Sequence, residues 1–444
     1  MTQDTNDTLV RAIGLRALAA NTVNNIIGSG IFVLPAVVAA TLGASAMIAY
    51  LICAVAVALV ALCFAESGSR VSASGGTYAY VETAFGPYVG FLEGVLLFGS
   101  QITASAAIAT VLAGSLAVLV PSLGGTLPRA AVLVVLYATL AVTNIRGLRS
   151  GVRLVEVVTA AKLAPLVALV IAGAFFIHRA NFVWTRTPTF AEIGTASLGL
   201  VFAFTGMEGA MTSSGEVKNP SRTVPRALFL GLGMVTALYV SVQLVAQGVL
   251  GADLSTDQTA PLAAVAGRIF GRSGSVLIAV AAAVSAFGYL SGDMLATPRV
   301  LFAFARDGFL PRWLGAVHPG ARTPAAAIAV HAAVCCGLAL SGTFVSLVVL
   351  STVSTLFIYF TCCLATIELR RRDVRTDGEP FRIPGGPLVP VLACGVVLWM
   401  LSSATRKEFT SVGLVLALAS LLYAVRRIRT RTGAAPATIV ASET

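Results

Sequence analysis

The sequence predicts an all-α, polytopic membrane protein of about 12 transmembrane helices. Of its 444 residues, 57% are hydrophobic and 11% charged, against roughly half and a quarter in soluble domains. Mean hydropathy is +0.90. Apolar windows able to cross about 30 Å of hydrocarbon recur from end to end, so a separate soluble domain has no stretch in which to be encoded. Apolar runs and their charged or Pro/Gly-rich boundaries place helices at 13–40, 43–66, 87–120, 127–145, 152–177, 194–216, 226–250, 273–304, 323–341, 343–368, 387–402 and 409–427. Between the second and third, SGSRVSASGGTYAYVETAFGP is too polar to span and is expected as a short amphipathic segment on the cytoplasmic side. The N-terminal MTQDTNDTLVRAIGLR lacks a small-residue cleavage site after a short apolar core, so it reads as a tail and not as a signal peptide. One integral domain, 1–444, is expected, with tails at 1–12 and 428–444.

The net charge of +11 is a matter of topology. Sorted by loop under twelve spans, twenty-two of the 30 Lys and Arg fall on the side of the termini. Seven fall on the other: Arg129, Arg179, Arg186, Arg268, Arg272, Arg406 and Lys407. That bias predicts both termini on the cytoplasmic side of the plasma (inner) membrane, and explains the basic balance without a nucleic-acid partner. The Arg-rich 367–386 connection reads as a loop facing anionic lipid. The seven cysteines lie in apolar stretches without metal-ligand spacing and read as small buried hydrophobes. His178, His318 and His331 form no HExxH pattern, and no Lys follows a Gly, so neither a metal site nor an ATP-binding phosphate loop is expected, and no cofactor. Without metal clusters, paired carboxylates or thiol–histidine patterns, an enzyme is not expected.

Two helices carry an interruption. In NNIIGSGIFVLP, residues 24–35, Gly28, Ser29 and Gly30 stand at mid-depth of the first span, followed by Pro35. In VFAFTGMEG, residues 201–209, Gly206 and Gly209 flank Glu208 inside the sixth. Breaks five spans apart point to an inverted-repeat transporter with its substrate at the breaks, helices 1–5 (13–177) and 6–10 (194–368) forming the repeats and helices 11 and 12 (387–427) appended.

Three stretches, IIGSGIFVLP, FAFTGMEGAMTSSGEVKNPSRTVPRAL and PRVLFAFARDGFLPRWLGAVHP, in this order and spacing, resemble the amino acid–polyamine–organocation (APC) transporter superfamily. The resemblance covers essentially the whole chain. It implies a LeuT-like 5+5 fold working by alternating access, and secondary transport of an amino acid, or alternatively of a polyamine or cationic amino acid.

An unwound segment frees backbone groups that hydrocarbon cannot pair. A zwitterion can: its carboxylate suits the amides of Gly28, Ser29 and Gly30 at the positive end of a half-helix, with the Ser29 hydroxyl beside them. Its ammonium suits carbonyls of Phe202, Ala203 and Thr205. Lys162, in VTAAKLAPLVALV, is the only lysine in an expected span. It lies about ten residues, or 15 Å, inside the helix, where a charge costs about 2.5–3.5 kcal/mol. In a subset of the superfamily a helix 5 lysine takes the place of a sodium ion. The resemblance carries that role to Lys162, with a carbonyl of Ile27 or Gly28 and a helix 8 hydroxyl, Ser285 or Ser291, as acceptors. It would serve either as a fixed charge or as the carrier of a coupled proton, giving proton-coupled symport or exchange without sodium. Glu208 either senses protons or holds the broken segment by hydrogen bonds. Asp293, on helix 8, either faces substrate or pairs with Arg299 or Lys162. Ser100, Thr103 and Ser105 on helix 3 are further cavity candidates, and Phe202 and Phe204 are candidates to close it. Glu216, Lys218, Arg222, Arg306 and Asp307 either tie an inner gate or simply orient the chain.

Overall fold

The computed structural model describes residues 14–71, 76–146, 152–184, 186–208, 217–256, 258–318, 320–321, 323–375 and 379–431. The two tails outside these bounds, Glu216 and Arg322 lie outside the described residues. Among them the secondary structure is helical, and seven helices are long and apolar enough to cross a membrane, with five shorter apolar helices beside them. The chain is therefore a multi-pass membrane protein.

The first span is two helices, α1 (Leu15–Ile26) and α2 (Leu34–Leu42), separated by Ile27–Ser29 and a single 3-10 turn, Gly30–Phe32. Pro35, in the first turn of α2, supplies no amide and would block continuation of α1 through it. Next come α3 (Met47–Arg70), α4 (Thr77–Phe85), α5 (Pro87–Leu119), α6 (Thr126–Ile145) and α7 (Val152–Gly173). Helix α4 buries Thr77, Ala79, Tyr80, Val81 and Ala84 and packs on α5. One face of the expected amphipathic segment is thus packed on the bundle, while Thr83 and Phe85 stay exposed.

The sixth span begins with α8 (Phe190–Phe204), four residues before the expected start. Thr189 Oγ1 accepts from the Glu192 amide (3.3 Å) and Glu192 Oε2 accepts from the Thr189 amide (2.8 Å), a reciprocal cap that fixes the start in a polar stretch. Helix α8 stops at Thr205. The chain is helical again at Met207 and Glu208, where description ends. Then follow α9 (Pro220–Leu250), α10 (Pro261–Ala296), α11 (Pro298–Arg306), α12 (Ala325–Ser341), α13 (Phe344–Arg371), α14 (Leu388–Ser402) and α15 (Arg406–Arg431). The expected eighth helix, 273–304, is two pieces: the part of α10 that follows its bend at Gly271 (φ 65°), and α11, which Pro298 starts. Helices α1 and α3 pack on α9, α2 on α8, and α5 on α10 and α13. The two breaks therefore lie inside the bundle.

One end of the bundle is tied by a buried carboxylate. Glu66, fully buried at the end of α3, accepts from Arg70 Nε (3.0 Å), Arg370 Nε (3.0 Å), the second guanidinium nitrogen of Arg370 and the Ile383 amide (3.0 Å). Arg70 also donates to the Val374 carbonyl (3.3 Å). Nearby, Arg375 holds the exposed Asp373 carboxyl below its ordinary range. This cluster joins α3, α13 and the 372–387 connection. By contrast, Arg306 pairs with its exposed neighbour Asp307 (3.4 Å), a contact worth little. Removing one partner of a buried pair costs about 3–5 kcal/mol. Arg370 is partly exposed, so Glu66→Gln is expected to lower stability toward the low end of that range, visible as a reduced Tm of the detergent-solubilised protein. An unchanged Tm would show the cluster to be energetically idle.

Candidate functional site

The last carbonyls of α1 have no successors in the helix and must be paired otherwise. Lys162, from the middle of α7 and 6% exposed, donates from Nζ to the carbonyls of Asn24 (2.9 Å) and Ile27 (2.7 Å). Tyr239 of α9 donates its hydroxyl to the Ile26 carbonyl (3.1 Å). A cation thus sits on the negative end of the α1 dipole, where it is stabilised. The Gly28 amide is spent on the Ile26 carbonyl (2.8 Å), so it is not among the free donors. The Ser29, Gly30 and Ile31 amides donate to no described backbone carbonyl. Ser29 Oγ is buried and makes no hydrogen bond.

The second break faces the first. Gly206 has φ 111°, and a Cβ built on it would lie 2.3 Å from the Asn25 carbonyl oxygen. Gly30 lies beneath the Phe202 ring, 3.1 Å from its nearest carbon to a built Cβ. Phe202 in turn meets Phe344 edge-on, ring centroids 6.4 Å apart. The Phe202 carbonyl accepts from the Thr205 amide (3.4 Å) and hydroxyl (2.8 Å), which removes it from the expected acceptors. No described amide donates to the carbonyls of Ala203 or Thr205. Glu208 spans the break: Oε1 accepts from the Gly206 amide (3.0 Å) and Oε2 from the Tyr359 hydroxyl of α13 (3.1 Å). Gly28, Thr205, Gly206 and Glu208 are partly exposed although they lie in mid-bundle, and a Cβ on Gly28 would meet nothing within 4 Å. Open space therefore borders the first break at Gly28.

The remaining expected residues lie elsewhere. Phe204 is fully buried against Tyr239, centroids 5.3 Å apart. Residues two apart on a helix point to different sides, so Phe202 and Phe204 cannot close one opening together. Ser100 Oγ bonds Thr355 Oγ1 (2.6 Å) and Ser351 Oγ (3.2 Å) of α13, Thr103 donates back to the Gly99 carbonyl (2.8 Å), and Ser105 Oγ bonds the Tyr137 hydroxyl of α6 (3.3 Å). A hydroxyl in an apolar bundle takes the nearest partner, here a neighbouring helix or its own backbone. Ser285 is buried with its Oγ unpaired, and Ser291 donates to the Phe287 carbonyl of its own helix (2.8 Å). Neither bonds Lys162, whose two acceptors both lie on the first span. Asp293 pairs with neither Arg299 nor Lys162. Its Oδ1 accepts from Thr297 (2.5 Å), and its Oδ2 lies 2.9 Å from His331 Nε2 of α12. Tyr239 and Tyr359 were not singled out in the sequence, and His331 was weighed only as part of a metal motif, although a hydroxyl or imidazole inside an apolar run must find a partner and so announces one.

The family model described as "Amino acid permease" matches residues 13–424. The chain is 30% identical to the serine/threonine exchanger SteT of Bacillus subtilis (strain 168), over 91% of this chain and 94% of that protein. It is 28% identical to the methylthioribose transporter of the same organism, over 95% and 94% of the two chains. It is 29% identical to the branched-chain amino acid permease BcaP of Lactococcus lactis subsp. cremoris (strain MG1363), over 83% and 84%. With a family model spanning both breaks and relatives aligned nearly end to end, the chain belongs to the amino acid permease family.

Proposed function

We propose that the protein is a secondary active transporter of amino acids in the plasma membrane, both termini cytoplasmic, working by alternating access of two inverted repeats and coupled to protons or to exchange, not to sodium. One observation carries this reading: the two breaks lie side by side with open space at Gly28, the amides of Ser29, Gly30 and Ile31, which donate to no described backbone carbonyl, belonging to one and the carbonyls of Ala203 and Thr205, which accept from no described backbone amide, to the other. A carboxylate meets amides at the N-terminal end of the 3-10 turn and α2, and an ammonium meets carbonyls at the end of α8. The amine alternative would be favoured by Asp293 and Glu208 both facing the cavity, and both Asp293 oxygens are engaged by Thr297 and His331. Methylthioribose, carried by one relative, has neither charge, so it belongs in the test.

The test is competition by unlabelled neutral amino acids, cationic amines and methylthioribose against labelled substrate in proteoliposomes, with and without an imposed proton gradient. Competition by neutral amino acids is expected; competition restricted to amines or to methylthioribose would overturn the reading. Lys162 already places a positive charge on the Asn24 and Ile27 carbonyls, so replacing sodium by choline is expected to leave uptake unchanged. Gly28→Ala adds a methyl that touches nothing and has no backbone penalty at that position. It should leave the fold intact and raise KM, more for large substrates than for small, because the methyl enters space the substrate would fill. An unaltered KM across a size series would remove Gly28 from the binding site.

A further inference from the structure

Away from the breaks, α5 carries a buried acid, Glu93. It is 1% exposed, and only one of its oxygens has a partner. Oε2 lies 2.7 Å from Thr361 Oγ1 of α13, while Oε1 is buried and makes no hydrogen bond. Seven residues, or two turns, further along the same face of α5, Ser100 Oγ bonds Thr355 and Ser351 of α13. A polar seam thus joins the two helices, and Glu93 is its acidic rung. The other elements packed on α5 bring their titratable groups to other positions. Helix α4 sets Glu82 against Gly90 and Tyr78 against Gly94, and α15 sets Tyr423 against Phe91. Helix α12 sets His331 against Phe98, α10 sets Tyr289 against Gln101, and α6 sets Tyr137 against Ser105. Beside Glu93 itself stands the Cys362 thiol of α13. Among the described residues no charged side chain acts on it.

We propose that Glu93 is a proton-binding site whose occupancy holds α5 against α13, which makes the packing of these two helices, and transport with it, sensitive to pH. The argument is a count of hydrogens. Thr361 Oγ1 has a single hydrogen and three acceptors in reach: Glu93 Oε2, the Phe357 carbonyl (3.0 Å) and the Ile358 carbonyl (3.0 Å). An ionised Glu93 takes that hydrogen and still leaves Oε1 bare, a buried charge with neither a cation nor a second donor, which is the costly arrangement. A protonated Glu93 donates from Oε2 to Thr361 Oγ1, whose own hydrogen returns to the Phe357 or Ile358 carbonyl of its helix. Oε1 is then a neutral carbonyl oxygen, far cheaper to leave unpaired.

Losing the proton has a direction. Glu93 is six residues, about 9 Å, from the Pro87 end of α5, and Thr361 is partly exposed. Once ionised, the carboxylate must draw water along that short path, so the seam parts there first; the Ser100 rung carries no acid and stays. The packing seen here therefore holds at low pH and loosens as pH rises. Tyr359, two residues before Thr361 on α13, donates to Glu208 at the second break, so a shift of α13 reaches the site.

Infrared difference spectra of the full-length protein in nanodiscs, wild type against Glu93→Gln, test the proton directly. A protonated-carboxyl C=O band is expected in the wild type at neutral pH and absent from Glu93→Gln. Thr361→Val removes the acceptor and should shift that band without abolishing it, and it serves alone if Glu93→Gln does not fold. Hydrogen exchange of residues 87–95, corrected for its intrinsic pH dependence, is expected to rise with pH in the wild type and to stay flat in Glu93→Gln. Spectra and hydrogen exchange need no substrate, so their outcome is independent of what the protein carries. Counterflow exchange in proteoliposomes at equal pH on both sides should lose a pH-dependent step in Glu93→Gln. No difference band at neutral pH, as an ionised Glu93 with an ordered water on Oε1 would give, overturns the proposal. So does a band that ignores Thr361→Val, or a pH profile of hydrogen exchange or counterflow that is the same in wild type and Glu93→Gln.

Discussion

Gly206→Ala is expected to lower uptake about tenfold or more per mass of folded protein, because strain and overlap together exceed the 1.4 kcal/mol that a factor of ten represents. Gly199→Ala, in the helix just before it, should leave uptake unchanged. Gly206 has φ 111°, a conformation that side chains other than glycine adopt at a cost of about 1–3 kcal/mol. Its new methyl would stand 2.3 Å from the Asn25 carbonyl oxygen and 2.8 Å from the carbonyl carbon. Backbone cannot swing aside as a side-chain tip does, and this backbone is pinned on both sides: Lys162 holds Asn24 and Ile27, and Tyr239 holds Ile26. The methyl would have to push the end of α8 away from the end of α1 and open the space that the two breaks share. A Cβ on Gly199 meets nothing within 4 Å. Uptake measured in proteoliposomes and normalised to monodisperse protein separates loss of function from loss of yield. Full activity in Gly206→Ala would show that the contact between the two spans is absent from the working protein.

Much of this site was legible because it is written in local chemistry. Gly28, Ser29, Gly30 and Pro35 are poor helix formers within an apolar run, and Gly206 beside Glu208 repeats the pattern, so both breaks stand out at the right residues. Lys162 stands out because an ammonium at mid-depth needs acceptors, and the end of a broken helix has them. What sequence could not supply is which face each residue presents and which remote helix meets it. Ser100, Ser105 and Asp293 are as polar as the residues that line the breaks, yet α13, α6 and α12 take them. The Glu66 cluster was hidden for the same reason: its carboxylate and Arg370 are 304 residues apart and joined only by packing. The start of α8 was readable in principle, since Thr189 and Glu192 have capping-box spacing, but they stand in a polar stretch outside the apolar run.

Lys162→Met is expected to abolish uptake while leaving a folded protein. The substitution keeps most of the apolar stem and removes the ammonium. It orphans the carbonyls of Asn24 and Ile27, at about 1–3 kcal/mol each, and leaves the α1 dipole without its cation, about 0.3–1 kcal/mol more. Against this, a buried charge whose insertion costs about 2.5–3.5 kcal/mol is no longer needed. The losses sum to about 2–7 kcal/mol against that gain, so the variant is expected to be as stable as the wild type or less, and uptake normalised to monodisperse protein reports on the site itself: the end of α1 and the middle of α7 lose the tie that fixes the break. Lys162→Arg then separates the two roles open to this residue. A guanidinium keeps the charge and can fork between two carbonyls, but it does not release its proton in the physiological range. Retained gradient-driven uptake in Lys162→Arg assigns Lys162 a fixed charge. Retained counterflow exchange with gradient-driven accumulation lost assigns it the proton. Wild-type uptake by Lys162→Met would remove Lys162 from the transport cycle and leave Glu208, held by the Gly206 amide and the Tyr359 hydroxyl, as the ionisable group at the breaks.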